Sequence, residues 1–168
     1  MLFRSRLQGR QLTLNLNIYA PGLSANHHLV LQAAWQNHDT LRQIAFSNAF
    51  PFSRGYVEMN FRQMMKVGAN YHFPLCYPDV GWASIVYLLR LRANVFYDHT
   101  RAGDYTATRV PYTRDFRSAG AELFFDTKWW NQHPVTFGLR YARLLDSPTR
   151  SISPNRWSFI LPVNLIGR

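Results

Sequence analysis

The stretch that decides the fold is residues 83–98, which read ASIVYLLRLRANVFYD. Apolar side chains occupy every second position, from Ala83 to Tyr97. The positions between them include Ser84, Arg90, Arg92, Asn94 and Asp98. Period-two alternation is typical of a β-strand with one apolar and one polar face. Since a strand usually has about five or six residues, this one is unusually long.

The same alternation recurs in six other segments of the chain. They lie near residues 12–18, 28–36, 58–73, 118–128, 135–141 and 156–165. The connections alternate between short (21–25, 76–81, 131–134) and long (37–55, 99–114, 146–155), as they do in outer-membrane barrels. The pattern predicts an all-β fold, an antiparallel transmembrane β-barrel. Residues 1–168 would form a single barrel region of about seven strands, the C-terminal part of a larger barrel and incomplete at the N-terminus.

Aromatic spacing supports a membrane setting. Tyr87 and Tyr97 stand ten residues apart in the alternating pattern, as do Phe61 and Tyr71. At roughly 3.3 Å per residue and a tilt near 40°, this spacing projects to about 25 Å, the height of an apolar band between aromatic girdles. We therefore expect these four rings to lie on the lipid-facing side.

The charges lie singly inside the alternating segments, and the net charge is +10. Mid-strand charges do not fit an apolar core, but a polar lumen accepts them. The expected lumen charges are Arg62, Lys66, Arg90, Arg92, Glu122, Asp126 and Arg140. They could favour anions or form an internal ion-pair network. A soluble, basic β domain that binds RNA or a ligand stays open as an alternative.

Several short motifs follow one another in a recognisable order. Ser53-Arg54-Gly55-Tyr56 closes the longest loop, and five predicted strands follow it. Further motifs are Phe73-Pro74-Leu75, Val95-Phe96-Tyr97-Asp98, Ser118-Ala119-Gly120-Ala121-Glu122-Leu123, and Pro134, Phe137, Tyr141 and Ala142. Over residues 50–168 this series resembles the C-terminal barrel of the outer-membrane assembly-insertase (bacterial surface antigen) superfamily. Related barrels appended to periplasmic propeller domains are similar.

The resemblance implies a loop folded into the lumen, with Arg54 of Arg54-Gly55-Tyr56 contacting Asp98. It also implies protein insertion or translocation at the bacterial outer membrane, without an enzymatic step. Partners would be the lipid bilayer, missing N-terminal strands and periplasmic modules, and outer-membrane protein clients. No nucleic acid, cofactor or metal is expected. A passive anion-leaning channel or a membrane anchor for a periplasmic domain is the alternative.

Two features of the chain depart from the family pattern or bear on its seam. Asn70 stands where a glutamate is common, and the chain ends Leu165-Ile166-Gly167-Arg168 without a terminal aromatic residue. Pro162 interrupts the last predicted strand, and proline cannot donate a ladder hydrogen bond. Pro162 therefore marks either a seam that opens laterally or a bulge near the rim.

Overall fold

The computed structural model describes residues 10–38, 50–83, 85–106, 108–130, 132–146 and 153–161. Within these ranges the chain forms eight strands in one sheet and no helix. The strands are β1 (Gln11–Pro21), β2 (His28–His38), β3 (Gln63–Cys76), β4 (Val80–Trp82), β5 (Val86–Tyr105), β6 (Pro111–Trp129), β7 (His133–Leu144) and β8 (Asn155–Ile160). The predicted all-β, antiparallel fold is confirmed. The short β4 lies in a predicted turn and was not expected.

The seven longer strands pair in chain order, β1-β2-β3-β5-β6-β7-β8, and β4 pairs with β5. Each strand pairs with the next because a hairpin brings consecutive strands together without a crossover. The longest ladder joins β5 to β6, from Val86 opposite Trp129 to Tyr105 opposite Pro111. This hairpin is therefore the most extensively paired part of the sheet.

The sheet is open in the part of the chain that the structure describes. Its edges are β1 and β8, which do not pair with each other. The sequence predicts about seven strands of a larger barrel, and the described strands do not close one. Closure is not expected from so few strands, because even the smallest outer-membrane barrels have about eight full crossings.

The two faces of the sheet reverse the usual burial of polar and apolar residues. Side chains on the apolar face are exposed, for example Leu14 at 58%, Val95 at 50% and Phe159 at 62%. In the middle of the sheet, side chains on the polar face are buried, including Asn94 and Asp98, whereas Asn15 and Asn17 of the edge strand β1 are exposed. In a water-soluble sheet the apolar face is packed on the core. Here the segment around residues 50–61 instead covers the polar face.

One bulge changes the face on which an expected girdle residue lies. The β5–β6 register shifts between Leu88 and Arg90, so that Tyr87 pairs with Lys128. Lys128 belongs to the polar alternation of β6, whereas Tyr97 pairs with Ala119 of the apolar one. The prediction that Tyr87 and Tyr97 share one face is therefore wrong. A bulge adds one residue to one strand and so inverts the alternation beyond it.

The third predicted strand, residues 58–73, begins earlier in the prediction than in the structure. The structure begins β3 at Gln63, and Phe61 precedes it with only 7% of its surface exposed. Phe61 packs in the apolar cluster over the polar face, so its predicted place on the lipid-facing side is wrong. A buried aromatic residue in a loop can match the period-two alternation of the strand that follows it by chance.

Some sequence features lie outside the described residues, namely Ser84, the segment 40–49, Pro162 and residues 163–168. Among the described residues, no helix is long and apolar enough to cross a membrane.

Candidate functional site: an arginine loop on the polar face

An apolar cluster fixes the loop between β2 and β3 against the sheet. Phe50, Phe52 and Phe61 from this connection pack with Met64 and Phe116 of the sheet. The ring centroid of Phe116 lies 5.1 Å from that of Phe52 and 5.7 Å from that of Phe61. Burying large aromatic side chains is strongly favourable, so this cluster sets where the loop meets the sheet.

The anchored loop presents Arg54 to Asp98 of β5. Arg54 Nε donates to Asp98 Oδ2 at 2.7 Å, and Arg54 Nη2 donates to Oδ1 at 3.1 Å. The backbone N–H of Arg54 also donates to Oδ2, at 3.2 Å. Asp98 is 0% exposed, and Lys66 Nζ lies 3.4 Å from Asp98 Oδ1. A bidentate, charge-assisted pair of this kind fixes both the position and the angle of the guanidinium group.

A second carboxylate, Glu122 of β6, completes the surroundings of Arg54. Glu122 Oε1 accepts from Arg54 Nη1 at 3.3 Å and from Arg140 Nε at 2.5 Å. Its other oxygen accepts from Asn94 Nδ2 at 2.8 Å. Three cations, including Lys66, thus face two carboxylates in one layer of side chains. The sequence predicted Glu122 and Arg140 as lumen charges, and the structure brings both into the network around Arg54.

Neutral side chains also hold Arg54. Asn70 Oδ1 accepts from Arg54 Nη2 at 2.5 Å, and the guanidinium carbon lies 3.7 Å from the ring centroid of Phe96. Asn70 therefore contributes an acceptor at the position where the resemblance leads one to expect a glutamate. The negative charge in this layer comes from Asp98 and Glu122.

Two glycines make room for this arrangement. Gly55 has φ +87°, and a Cβ there would lie 3.0 Å from both Ala142 Cβ and Leu144 Cδ2. Only glycine adopts such a conformation without strain. At Gly68 a Cβ would lie 2.8 Å from Asp98 Oδ1, where it would press on the carboxylate that binds Arg54. Sequence reasoning did not identify Gly68 or Asn94, since their roles depend on cross-strand pairing.

Ser53 and Tyr56, which flank Arg54 and Gly55, are also held by hydrogen bonds. Ser53 Oγ donates to the carbonyl of Phe116 at 2.9 Å and lies 2.7 Å from Thr100 Oγ1. The Tyr56 hydroxyl, which has one hydrogen to donate, lies 2.6 Å from the carbonyl oxygen of Asp146 and 2.9 Å from that of Arg117. Burial raises the pKa of Tyr56 above its usual value. The motif is therefore bonded to the sheet on both sides of the arginine.

A separate ion cluster lies nearer the short turns. Arg90 Nε and Arg92 Nε both donate to Asp126 Oδ2, at 2.6 and 2.9 Å. Thr136 donates to the other oxygen of Asp126 at 2.8 Å. Two guanidinium groups thus share one carboxylate, and both are partly exposed.

The remaining predicted lumen charge, Arg62, lies apart from both ion clusters. It precedes β3, and its guanidinium carbon lies 5.0 Å from the ring centroid of Tyr105 near the end of β5. The structure therefore brings Arg54 together with Asp98, Lys66, Glu122 and Arg140. Gly55 and Tyr56 lie beside this network, against β7 and β6, and do not take part in its ion pairs. Arg90, Arg92 and Asp126 form a second group, and Arg62 is separate from both.

The chemistry of the main network is that of charge pairing. Arginine cannot be deprotonated in a protein, so Arg54 serves as a fixed positive centre with directed donors. Such a network holds a segment in place and specifies one docked conformation. Searches of family models, curated proteins and solved structures give no match to the chain.

Proposed function

We propose that this sheet is part of the wall of an outer-membrane β-barrel of the surface-antigen type, which acts in inserting or translocating proteins. The observation that carries the proposal is the reversed burial of the two faces. Large apolar side chains are exposed on β1, β2, β3, β5, β7 and β8, which suits contact with lipid tails, and the polar face that is buried in the middle of the sheet suits a barrel interior. A water-soluble domain rarely exposes so continuous an apolar surface, which speaks against the RNA-binding alternative.

The extent of the apolar face supports the same proposal. On β5 the face is apolar through Val95 and Tyr97, and beyond them it carries His99 and Arg101. Strands of about 9–11 tilted residues cross a bilayer, and β1, β2 and β7 have 11, 11 and 12 residues. The additional length of the β5–β6 hairpin would then project beyond the membrane.

Exposed aromatic residues mark both ends of this band. Trp82 is 79% exposed and Trp130 60% exposed beside the short turns. Tyr97 and Trp157 are exposed toward the opposite end. Rings in these positions suit the two membrane interfaces, and the three tryptophans take the role that the sequence predicted for Tyr87 and Phe61.

The inward loop supports the insertase-type function in particular. A loop that Asp98 and Glu122 hold through Arg54 would stabilise the polar side of the barrel wall. The resemblance implies such an inward loop, with Arg54 contacting Asp98. Further strands at the edges β1 and β8 would be needed to close the barrel. The protein would work by offering a lumen, a docked loop and a strand edge to a client, without a chemical step.

Lipid contact can be tested with one probe on each side of the proposed interface. Cys76, the single cysteine, is exposed and is first replaced in Cys76→Ser. A fluorophore on Val95→Cys should be quenched by spin-labelled lipid tails, whereas one on Leu23→Cys should not, because Leu23 is 95% exposed in a turn. Equal quenching at both positions, or a chain that stays dissolved without detergent, would refute the membrane setting.

The insertase function needs its own measurement. Vesicles that contain the full chain should accelerate the folding of an added outer-membrane protein, relative to empty vesicles. Arg54→Ala should lose most of this acceleration if the docked loop is required. Ion conductance without any acceleration would support the alternative, a passive channel, which the partly exposed Arg90 and Arg92 favour.

A further inference from the structure

A second feature of the polar face is a basic cavity near the short turns, separate from the Arg54 network. Its volume is about 420 Å³, and Tyr19, His28, His72, Tyr77, Arg90 and Arg92 are among its lining residues. His28 and His72 are direct partners in the β2–β3 ladder, and Arg92 pairs with Pro74 across β3 and β5. The sheet thus brings two imidazoles and two guanidinium groups to one concave surface.

The positive charge of this cavity is only partly neutralised. Asp126 accepts from Arg90 through Nε alone and from Arg92 through Nε and Nη2. Both Nη atoms of Arg90 and Nη1 of Arg92 therefore have no acceptor among the described residues. Neither His28 nor His72 has a hydrogen-bond partner among the residues that the structure describes. Unused donors on four basic side chains are suited to an anion with several oxygens.

The neighbouring carboxylates do not cancel this charge. Glu122 is engaged by Arg54, Arg140 and Asn94. Asp79 lines an adjoining cavity that shares Tyr77 and Arg90 with this one. The cavity itself is lined by no carboxylate among the residues that the structure describes.

We propose that this cavity binds a phosphate group carried by a small, water-soluble molecule. Guanidinium groups bind phosphate oxygens through paired, charge-assisted hydrogen bonds, and a phosphate group has enough oxygens to accept from the unused donors of both arginines at once. The ligand is soluble because the cavity opens on the polar face, opposite to the exposed apolar face. The proposal does not depend on membrane insertion or on a client.

Equilibrium dialysis of radiolabelled inorganic phosphate against the full chain folded in detergent tests the site. Loss of one charge-assisted hydrogen-bonding group should weaken binding roughly tenfold to a hundredfold. We expect phosphate binding to weaken by this amount in both Arg92→Gln and Arg90→Gln. Arg90→Gln should disturb the fold less than Arg92→Gln does, because the Arg90 side chain is 50% exposed. Arg101→Gln is the matched control, since that side chain is 63% exposed and far along β5.

The outcomes separate clearly. The site is supported if the unchanged chain and Arg101→Gln bind phosphate and both cavity variants bind it more weakly. Urea unfolding must show that the Arg90→Gln chain is folded. No binding of phosphate by the unchanged chain, or equal binding in all variants, overturns it. Tighter binding of a short-chain phosphatidic acid than of inorganic phosphate would overturn the assignment to a soluble ligand.

Discussion

The pairing of Arg54 with Asp98 allows a quantitative test by a double-mutant cycle. Arg54→Ala removes two side-chain hydrogen bonds to Asp98 and one each to Asn70 and Glu122. Asp98, which is 0% exposed in the unchanged chain, would keep only the backbone N–H of residue 54 and Lys66 as partners. Breaking a buried ion pair by removing one partner costs about 3–5 kcal/mol, because the other charge is left without compensation.

Asp98→Ala should cost a similar amount for a related reason. It leaves Lys66, which is 4% exposed, without its carboxylate, although Arg54 keeps Glu122 and Asn70. The double variant removes both members of the pair and so avoids one of the two penalties. We expect it to cost about 4–6 kcal/mol, which gives a coupling free energy of about 2–4 kcal/mol.

The chain itself contains a matched control pair. Arg117 binds Asp146 through the same three donors, with Nε to Oδ2 at 2.8 Å, Nη2 to Oδ1 at 2.7 Å and the backbone N–H to Oδ2 at 2.9 Å. Both side chains are partly exposed. Because water screens exposed pairs, the coupling between Arg117 and Asp146 should be far smaller than that between Arg54 and Asp98.

The assay is urea-induced unfolding of the full chain folded in detergent, followed by tryptophan fluorescence. Four chains are needed for each cycle. Additive effects of Arg54→Ala and Asp98→Ala, within about 0.5 kcal/mol, would refute the argument from buried pairing. Equal coupling in the two cycles would show that burial does not set the strength of the contact.

Three further outcomes follow from the same contacts. Gly55→Ala should destabilise the fold by about 1–3 kcal/mol in urea unfolding because of its positive φ, whereas Gly103→Ala, whose added Cβ meets only ordinary contacts, should be close to neutral. Leu91→Arg should destabilise the chain in vesicles by about 2–4 kcal/mol, because Leu91 lies near the middle of the apolar face of β5, between Val86 and Tyr97, and no change in vesicle binding or unfolding would contradict lipid contact. The hydrogen bond from Arg117 lowers the pKa of Asp146 below its ordinary 3.8, so its stabilising effect is present above pH 3.8 and is lost as the pH falls through the lowered pKa. Asp146→Asn should therefore remove part of the acid sensitivity of unfolding, and an unchanged pH profile would contradict this.

The strands were largely predictable because alternation is a local property. Residues 28–36 and 118–128 were assigned to the correct faces from their order alone, and β2 and β6 show these faces. The Arg54 motif could be singled out as well, because a glycine and an aromatic residue flank the arginine. Asp98 was then indicated by the resemblance and by its place on the polar face.

The bulge and the anchored loop were not predictable by the same reasoning. Nothing local at Leu88, Leu89 and Arg90 indicates that one residue is left out of the ladder, since that depends on the register with β6. Phe61 continues the alternation of β3 but packs inward with Phe116. Both errors moved aromatic residues to the wrong face, because periodicity does not record where a strand begins or slips.

The sequence by itself therefore determined that the chain forms long strands with one apolar and one polar face, since side chains alternate across any strand. Only the tertiary structure decided which side chains of the polar face are buried, because burial depends on where the segment around residues 50–61 covers the sheet. It also joined Glu122, Asn94 and Arg140 to Arg54, and it brought His28, His72, Arg90 and Arg92 around one cavity. Those contacts join residues far apart in the chain, and strand register, which long-range pairing sets, brings them together.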